Sequence, residues 1–153
     1  MGTFYTKCLI ENHIDRKKSI VVPKLLVDTG SEYTWIPENL LEKIAVAREK
    51  KDLVFVTANG QQVTRSVGFV TICLDKFFTI DEVVFGEEGD LLTSLKVMVV
   101  STGLRLSRIT QGILPVLMRR PVLLLGARTL EGLNLAVDSR QKKLVGAGPL
   151  PVA

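Results

Sequence analysis

The stretch that carries the most structural information is Leu25-Leu26-Val27-Asp28-Thr29-Gly30-Ser31. Its three apolar residues predict the end of a buried strand, and an acid, a hydroxyl and a glycine follow directly. Gly30 allows the backbone to turn sharply beneath the carboxylate of Asp28. An ordinary strand-end turn uses the same residue types, because Asp and Gly favour turns. The neighbouring sequence is therefore needed to decide whether Asp28 is a reactive carboxylate or part of an ordinary turn.

Strand patterns predominate on both sides of this stretch. Pro37 opens a short helical pattern that we expect to end near the basic run 48–51. Asn59-Gly60 is the strongest hairpin signal in the chain, and the polar residues 15–18 favour a second turn. The predicted strands cover residues 3–10, 19–27, 54–56, 63–72 and 77–85. We therefore expect a β-rich chain with small helices.

Size and composition limit the classes of function. The 153 residues can form one domain with its own core, and we treat 1–153 as a single domain. Hydrophobic residues make up 46% of the chain, so we expect part of the apolar surface to contact a partner. The net charge of +4 comes from scattered basic residues. Nucleic-acid binding requires clustered basic and aromatic side chains, which makes that class unfavourable here.

The cysteines and the first residues bear on metals and location. Cys8 and Cys73 are far apart in sequence, and neither has a neighbour at zinc-ligand spacing. We expect buried, reduced thiols, no metal and no other cofactor. Residues 1–9 carry charge and lack the long apolar core of a signal peptide. We therefore expect a cytoplasmic protein that does not associate with a membrane.

A longer segment resembles a known active site. Val27-Asp28-Thr29-Gly30-Ser31-Glu32-Tyr33-Thr34-Trp35-Ile36-Pro37 resembles the active-site segment of aspartic proteases, including the Trp-apolar-Pro after the triplet. Residues 122–130, Val-Leu-Leu-Leu-Gly-Ala-Arg-Thr-Leu, are similar to the stretch before the short C-terminal helix of retroviral-type proteases. The chain has one Asp-Thr-Gly, whereas the two-lobed pepsins have two. It therefore resembles the single-lobe retropepsins.

This resemblance implies a fold and a substrate-covering hairpin. The implied fold is all-β with small helices, a closed, mostly antiparallel acid-protease β barrel with one lobe per chain. The family's flap, a hairpin that closes over the substrate, corresponds to the place of Ala58, Asn59 and Gly60. Residues 91–121 have no counterpart in the family, so we expect an insertion there, built as a strand pair or as a strand with a helix.

One aspartate per chain implies a homodimer. Activating a water molecule needs one carboxylate as base and a protonated group as acid, and Asp28 of a second copy supplies the other group. The resemblance assigns Thr29 to a hydrogen-bond network across the dimer and Gly30 to backbone contacts with substrate. We expect Ser31 to donate to the outer carboxylate oxygen of Asp28. The predicted activity is an aspartic endopeptidase acting on peptides or proteins. The alternative is an inactive peptide-binding or dimerisation module with the same fold.

Three other groups of residues allow a functional and a structural interpretation. His13 is the only histidine, and without partners for a triad or a metal we expect it to be solvated. The acidic run 87–90 lacks calcium-loop spacing, so a turn is favoured over a cation site. For Trp35, we expect packing beside the active-site loop rather than ligand binding.

Overall fold

The computed structural model describes residues 4–57, 60–87, 90 and 123–150, and these are mainly β. The strands are β1 (Phe4–Asn12), β2 (Ser19–Val27), β3 (Thr34–Pro37), β4 (Lys50–Val56), β5 (Gln62–Leu74), β6 (Phe77–Gly86), β7 (Leu124–Leu125), β8 (Leu135–Asp138) and β9 (Lys143–Gly146). The helices within these described ranges are α1 (Glu38–Lys43) and α2 (Ala127–Gly132). The predicted insertion at 91–121 lies outside the described residues.

Seven strands form one sheet in the order β1-β2-β7-β3-β6-β5-β4, and β1 also pairs with β5. The pairings β2–β7 and β3–β6 are parallel, and the others are antiparallel. The predicted all-β class and the mostly antiparallel pairing are therefore confirmed. The β1–β5 pairing returns the sheet to its first strand, but a closed barrel stays a prediction. β8 and β9 form a separate hairpin that the sequence analysis did not include.

The turn between β1 and β2 is held by a buried asparagine. The Oδ1 atom of Asn12 accepts hydrogen bonds from the backbone N–H groups of Ile14 (2.9 Å) and Asp15 (3.1 Å). Its Nδ2 atom donates to the carbonyls of Ile44 (3.0 Å) and Ala45 (2.8 Å). Asn12 is 7% exposed, and its side-chain amide makes all four of these hydrogen bonds. One side chain therefore fixes the hairpin turn to the segment after α1.

The first helix ends earlier than the sequence pattern predicts. We expected it to continue to about 48–51, but α1 ends at Lys43. Ala45 has a φ of 56°, and the hydrogen bonds Ala45 N–H to Glu42 O and Val46 N–H to Leu41 O close the helix end. This is a Schellman arrangement, and it places Val46 in the core beside Leu41. Asn12 stabilises it by binding the carbonyls at the helix end.

The core lies between the inward faces of the sheet and the two helices. Its largest fully buried side chains are Phe85, Ile10, Leu25, Ile36, Leu41, Ile72, Leu125, Val22, Val67, Val70, Val83 and Val84. β2 contributes Val22 and Leu25, which are separated by two exposed residues, and then Val27, which is 5% exposed. The apolar end of β2 is therefore anchored in the core immediately before Asp28, as the sequence predicts.

Both cysteines are free thiols, but only one is buried as predicted. Cys8 is 3% exposed, and burial, with a smaller contribution from the charge of Cys73, raises its pKa to about 12. Cys73 is partly exposed, because it lies on the outer side of β5 beside Arg16 and Glu11. Burial is again the largest cause of the raised pKa of the Cys73 thiol.

Candidate active site

Asp28 directly follows the last residue of β2. Its backbone N–H donates to the carbonyl of Leu125 at 3.1 Å, which continues the parallel pairing of β2 with β7. β7 lies between β2 and β3, and the turn that contains Asp28 connects these same two strands. The candidate catalytic carboxylate therefore stands where a late segment of the chain is inserted between two early strands.

One oxygen of the Asp28 carboxylate is fixed by the backbone. The N–H group of Gly30 donates to Oδ1 at 2.9 Å, and Ser31 N–H donates to the Asp28 carbonyl at 3.3 Å. The residue is partly exposed. Among the residues that the structure describes, Oδ2 has no hydrogen-bond partner. This arrangement holds the carboxylate in one orientation and leaves its second oxygen available.

The predicted supporting residues lie in the same turn, with one difference in bonding. Thr29 and Gly30 are exposed at the surface of the turn. The hydroxyl of Ser31 donates to the carbonyl of Tyr33 at 2.9 Å, so its single hydrogen is not directed at Asp28 as we expected. Ser31 thus shapes the turn, while the backbone of Gly30 orients the carboxylate.

The segment of β7 and α2 supports this turn from behind. Ala127 N–H donates to Ser31 O at 2.7 Å, and Arg128 N–H donates to Glu32 O at 3.1 Å. Gly126 lies so close to the turn that a Cβ atom there would be 2.4 Å from the carbonyl of Tyr33. The predicted C-terminal helix is confirmed, and its first residues hold the backbone just after the Asp-Thr-Gly triplet.

A buried chain of hydroxyl groups continues from this contact. Gly126 N–H donates to Thr34 Oγ1 at 2.9 Å, and Thr34 Oγ1 lies 2.5 Å from Thr129 Oγ1. Thr129 Oγ1 donates to Asp81 Oδ2 at 2.7 Å. Sequence reasoning missed Thr129 and Asp81 as parts of the site. The only signals were a threonine in the second resembling segment and a carboxylate in a strand.

Arg128 covers the outer side of the same turn. Its guanidinium lies 4.7 Å from the centre of the Tyr33 ring and 3.7 Å from carboxylate oxygens of Asp81 and Glu82. Burial lowers the pKa of Arg128, but the nearby charges, with Asp81 the strongest, outweigh burial and raise it. Arg128 therefore stays charged and joins the loop aromatics to β6.

The β4–β5 hairpin stands beside the Asp28 turn, where the flap was predicted. Phe55 of β4 makes edge-to-face contacts with Tyr33 and Trp35, each with ring centres 5.4 Å apart. The packing role expected for Trp35 is thus confirmed. At the hairpin end, Gly60 N–H donates to Thr57 O, and Gly60 has a φ of 81°. Two of the predicted flap residues, Ala58 and Asn59, lie outside the described residues.

Two remaining sequence candidates have structural partners. His13 is partly buried rather than solvated, because its Nδ1 atom donates to Phe69 O at 3.0 Å and its ring contacts the Phe69 ring. In the acidic run, Asp90 pairs with Arg65, whose Nε donates to Asp90 Oδ2 at 3.0 Å, and Glu87 lies 3.4 Å from the same guanidinium. The described part of the run is therefore a turn held by Arg65. Within the described ranges, no cluster of three metal-ligating side chains occurs.

Comparison with known proteins gives a match to a protein family. Residues 18–128 match a protein-family model described as aspartyl protease, and this range spans more than half of the chain. It includes Asp28, Thr34, Asp81 and Gly126. No curated protein matches the chain. None of the helices in the described residues is long and apolar enough to cross a membrane.

Proposed function

Because the chain belongs to the retropepsin-like aspartyl protease family, we propose that it is an aspartic endopeptidase that works as a homodimer. The proposal rests on the hydrogen bonding of the Asp28 carboxylate. Its Oδ1 is held by Gly30, and its Oδ2 has no protein partner among the described residues. One such carboxylate per chain is half of an acid–base pair.

The proposed reaction uses Asp28 from both subunits. Two carboxylates placed within a few ångströms share one proton, because both cannot ionise cheaply at that distance. The ionised member takes a proton from a water molecule as that water attacks the peptide carbonyl. The protonated member donates its proton to the carbonyl oxygen. The peptide C–N bond breaks when the tetrahedral intermediate passes a proton to the amine, and no covalent enzyme intermediate forms.

A twofold axis is the simplest way to assemble this pair. In an isologous dimer each Asp28 turn meets its own copy, so one chain supplies identical halves of the site. The exposure of Gly30 supports this arrangement, since groups at a dimer axis are accessible in the single chain. The β4–β5 hairpin would cover a bound peptide from above, with a closed β barrel below it. The two free thiols support a reducing compartment such as the cytoplasm.

The first test is cleavage of a mixed peptide library by the wild type and by Asp28→Asn, from about pH 4 to pH 7. Asp75→Asn is the matched control. It makes the same chemical change in an exposed turn where the φ of 51° suits asparagine equally well. Cleavage by the wild type and by Asp75→Asn, with loss in Asp28→Asn, would support the proposal. Equal activity of Asp28→Asn and the wild type would contradict it. A folded wild type that binds peptides without cutting them would favour the binding-module alternative.

The dimer is tested by mixing subunits. Wild-type and Asp28→Asn chains are unfolded, combined in equal amounts and refolded together. If each site needs two Asp28 residues, only about a quarter of the dimers are active. Activity that follows the wild-type fraction, at about half, would show that each chain works alone.

A further inference from the structure

We propose that Asp81 is a positioning residue for Asp28, acting through the hydroxyl groups of Thr129 and Thr34. The inference rests on the proposed function, because it concerns the geometry of the proposed catalytic carboxylate. Asp81 belongs to β6, which neither contains nor adjoins the Asp-Thr-Gly triplet. Its effect therefore has to pass through the contacts that connect β6 with the β7–α2 segment.

In the series of hydrogen bonds from Gly126 to Asp81, the groups at the two ends determine the direction of every bond. The Gly126 N–H group only donates, and it donates to Thr34 Oγ1. The carboxylate of Asp81 accepts the one hydroxyl hydrogen of Thr129. Thr34 must therefore be the donor in the contact between the two hydroxyls. The carboxylate of Asp81 thus determines the orientation of both threonine hydroxyls.

Burial makes this orientation difficult to change. Thr34 and Thr129 are both 0% exposed, so a hydroxyl that loses its partner has no access to bulk water. The second oxygen of Asp81, Oδ1, accepts from Glu82 N–H at 2.8 Å. Both oxygens of Asp81 are therefore acceptors. An asparagine cannot replace it, because its amide nitrogen would face one of these donors.

The hydroxyl chain is connected to Asp28 by the backbone of a short segment. Leu125 accepts from Asp28 N–H, and Ala127 and Arg128 donate to the two residues after Gly30. All three bonds come from the residues around Gly126, whose own N–H starts the chain to Asp81. If Thr129 or Asp81 no longer holds α2, the support behind the Asp28 turn is displaced. A displacement of about 1 Å in a reacting group can reduce the rate about 10²-fold.

The experiment compares Asp81→Asn and Thr129→Val with two further variants of the full-length protein. Glu82→Gln is the matched control, because it removes the same charge at 3.7 Å from Arg128 without touching Thr129. Thr129→Ser keeps the hydroxyl and tests for rescue. Two readouts are measured: kcat and KM on a peptide found by the library screen, and hydrogen exchange at individual backbone amides. The amides of interest belong to Asp28, Ala127 and Arg128.

We expect Asp81→Asn and Thr129→Val to lower kcat about 10²-fold while KM changes about twofold or less. Exchange at the three amides should become at least about tenfold faster, the change expected for losing one buried hydrogen bond. Thr129→Ser should recover most of both effects, and Glu82→Gln should resemble the wild type. Thr129→Val keeps the test available if Asp81→Asn does not fold.

Two results would overturn the proposal. One is exchange in Asp81→Asn and Thr129→Val that equals that of Glu82→Gln at all three amides. The other is faster exchange spread evenly over the protein, with kcat unchanged per folded molecule, because that pattern describes a purely stabilising residue. If the wild type cuts no peptide, the proposed function fails separately. The exchange data then still decide whether Asp81 holds the Asp28 turn.

Discussion

The replacement of Gly126 by alanine should strongly destabilise the protein. The backbone of Gly126 is extended, with a φ of −88°, so alanine causes no conformational strain there. The added Cβ, however, would lie 2.4 Å from the carbonyl of Tyr33 and 2.8 Å from that of Glu32. Relief to an ordinary contact needs a shift of about 1 Å, which would lengthen the Ala127–Ser31 hydrogen bond from 2.7 Å to about 3.7 Å. Three hydrogen bonds of this segment are affected at about 1 kcal/mol each, so we expect a loss of about 3 kcal/mol.

Urea unfolding followed by the fluorescence of Trp35, the only tryptophan, measures this loss. With a slope of about 2 kcal/mol per molar urea, the midpoint should fall by about 1.5 M. All samples are compared at one protein concentration, because subunit association shifts apparent stability. Gly146→Ala is the control, since no atom lies within 4 Å of its added Cβ, and its midpoint should stay within about 0.3 M of the wild type. A midpoint for Gly126→Ala as high as that of this control would refute the close-packing argument.

Three further predictions concern other parts of the fold. Asn12→Ala removes four hydrogen bonds and should lower the free energy of unfolding by about 2 to 4 kcal/mol, whereas the exposed Asn39→Ala should change it by less than about 0.5 kcal/mol in the same urea assay. Between pH 9 and about 12 the unfolded chain loses the Cys8 proton while the folded chain keeps it, so stability should fall with rising pH by up to about 1.4 kcal/mol per unit. When urea unfolding is repeated across this pH range, Cys8→Ala should lose less stability per pH unit than the wild type. An equal loss would show that Cys8 does not cause the pH dependence. Phe55→Leu loses two aromatic contacts and should destabilise the protein by about 1 to 2 kcal/mol in thermal unfolding. Phe78→Leu, at a residue that is 62% exposed, should have little effect in the same assay.

Most of the longer strands and the Asp28 turn were predictable because their signals are local. The apolar run that ends at Val27 predicted β2 with its observed bounds, and Asn59-Gly60 predicted the hairpin between β4 and β5. The end of α1 was not predictable in this way. Alanine has no preference for a positive φ, so nothing in the sequence marks Ala45 as the terminating residue. The hydrogen bonds from the distant Asn12 stabilise that conformation.

The same distinction applies to the candidate site. Asp28, Thr29 and Gly30 are consecutive, and the sequence alone therefore indicates them as a unit. Thr34 and Thr129 are 95 positions apart and meet only because β7 and α2 enter beside β3. The hydroxyl of Ser31 was assigned to the wrong acceptor, because the geometry of the turn decides between Asp28 and the carbonyl of Tyr33. Such contacts depend on topology, which residue spacing does not determine.

The insertion of β7 between β2 and β3 also affects the order of events on the ribosome. β2 and the Asp28 turn are synthesised about 100 residues before Leu124 and Leu125. The nascent chain therefore lacks at first the strand that accepts the hydrogen bond from the Asp28 N–H group. Until that strand leaves the exit tunnel, two early strands have no partner between them, and the Asp28 turn has no support behind it. The order of synthesis therefore delays the completion of the site until β7 has been made. The proposed hydrolysis at Asp28 therefore cannot begin before Leu124 and Leu125 have been synthesised and paired with β2.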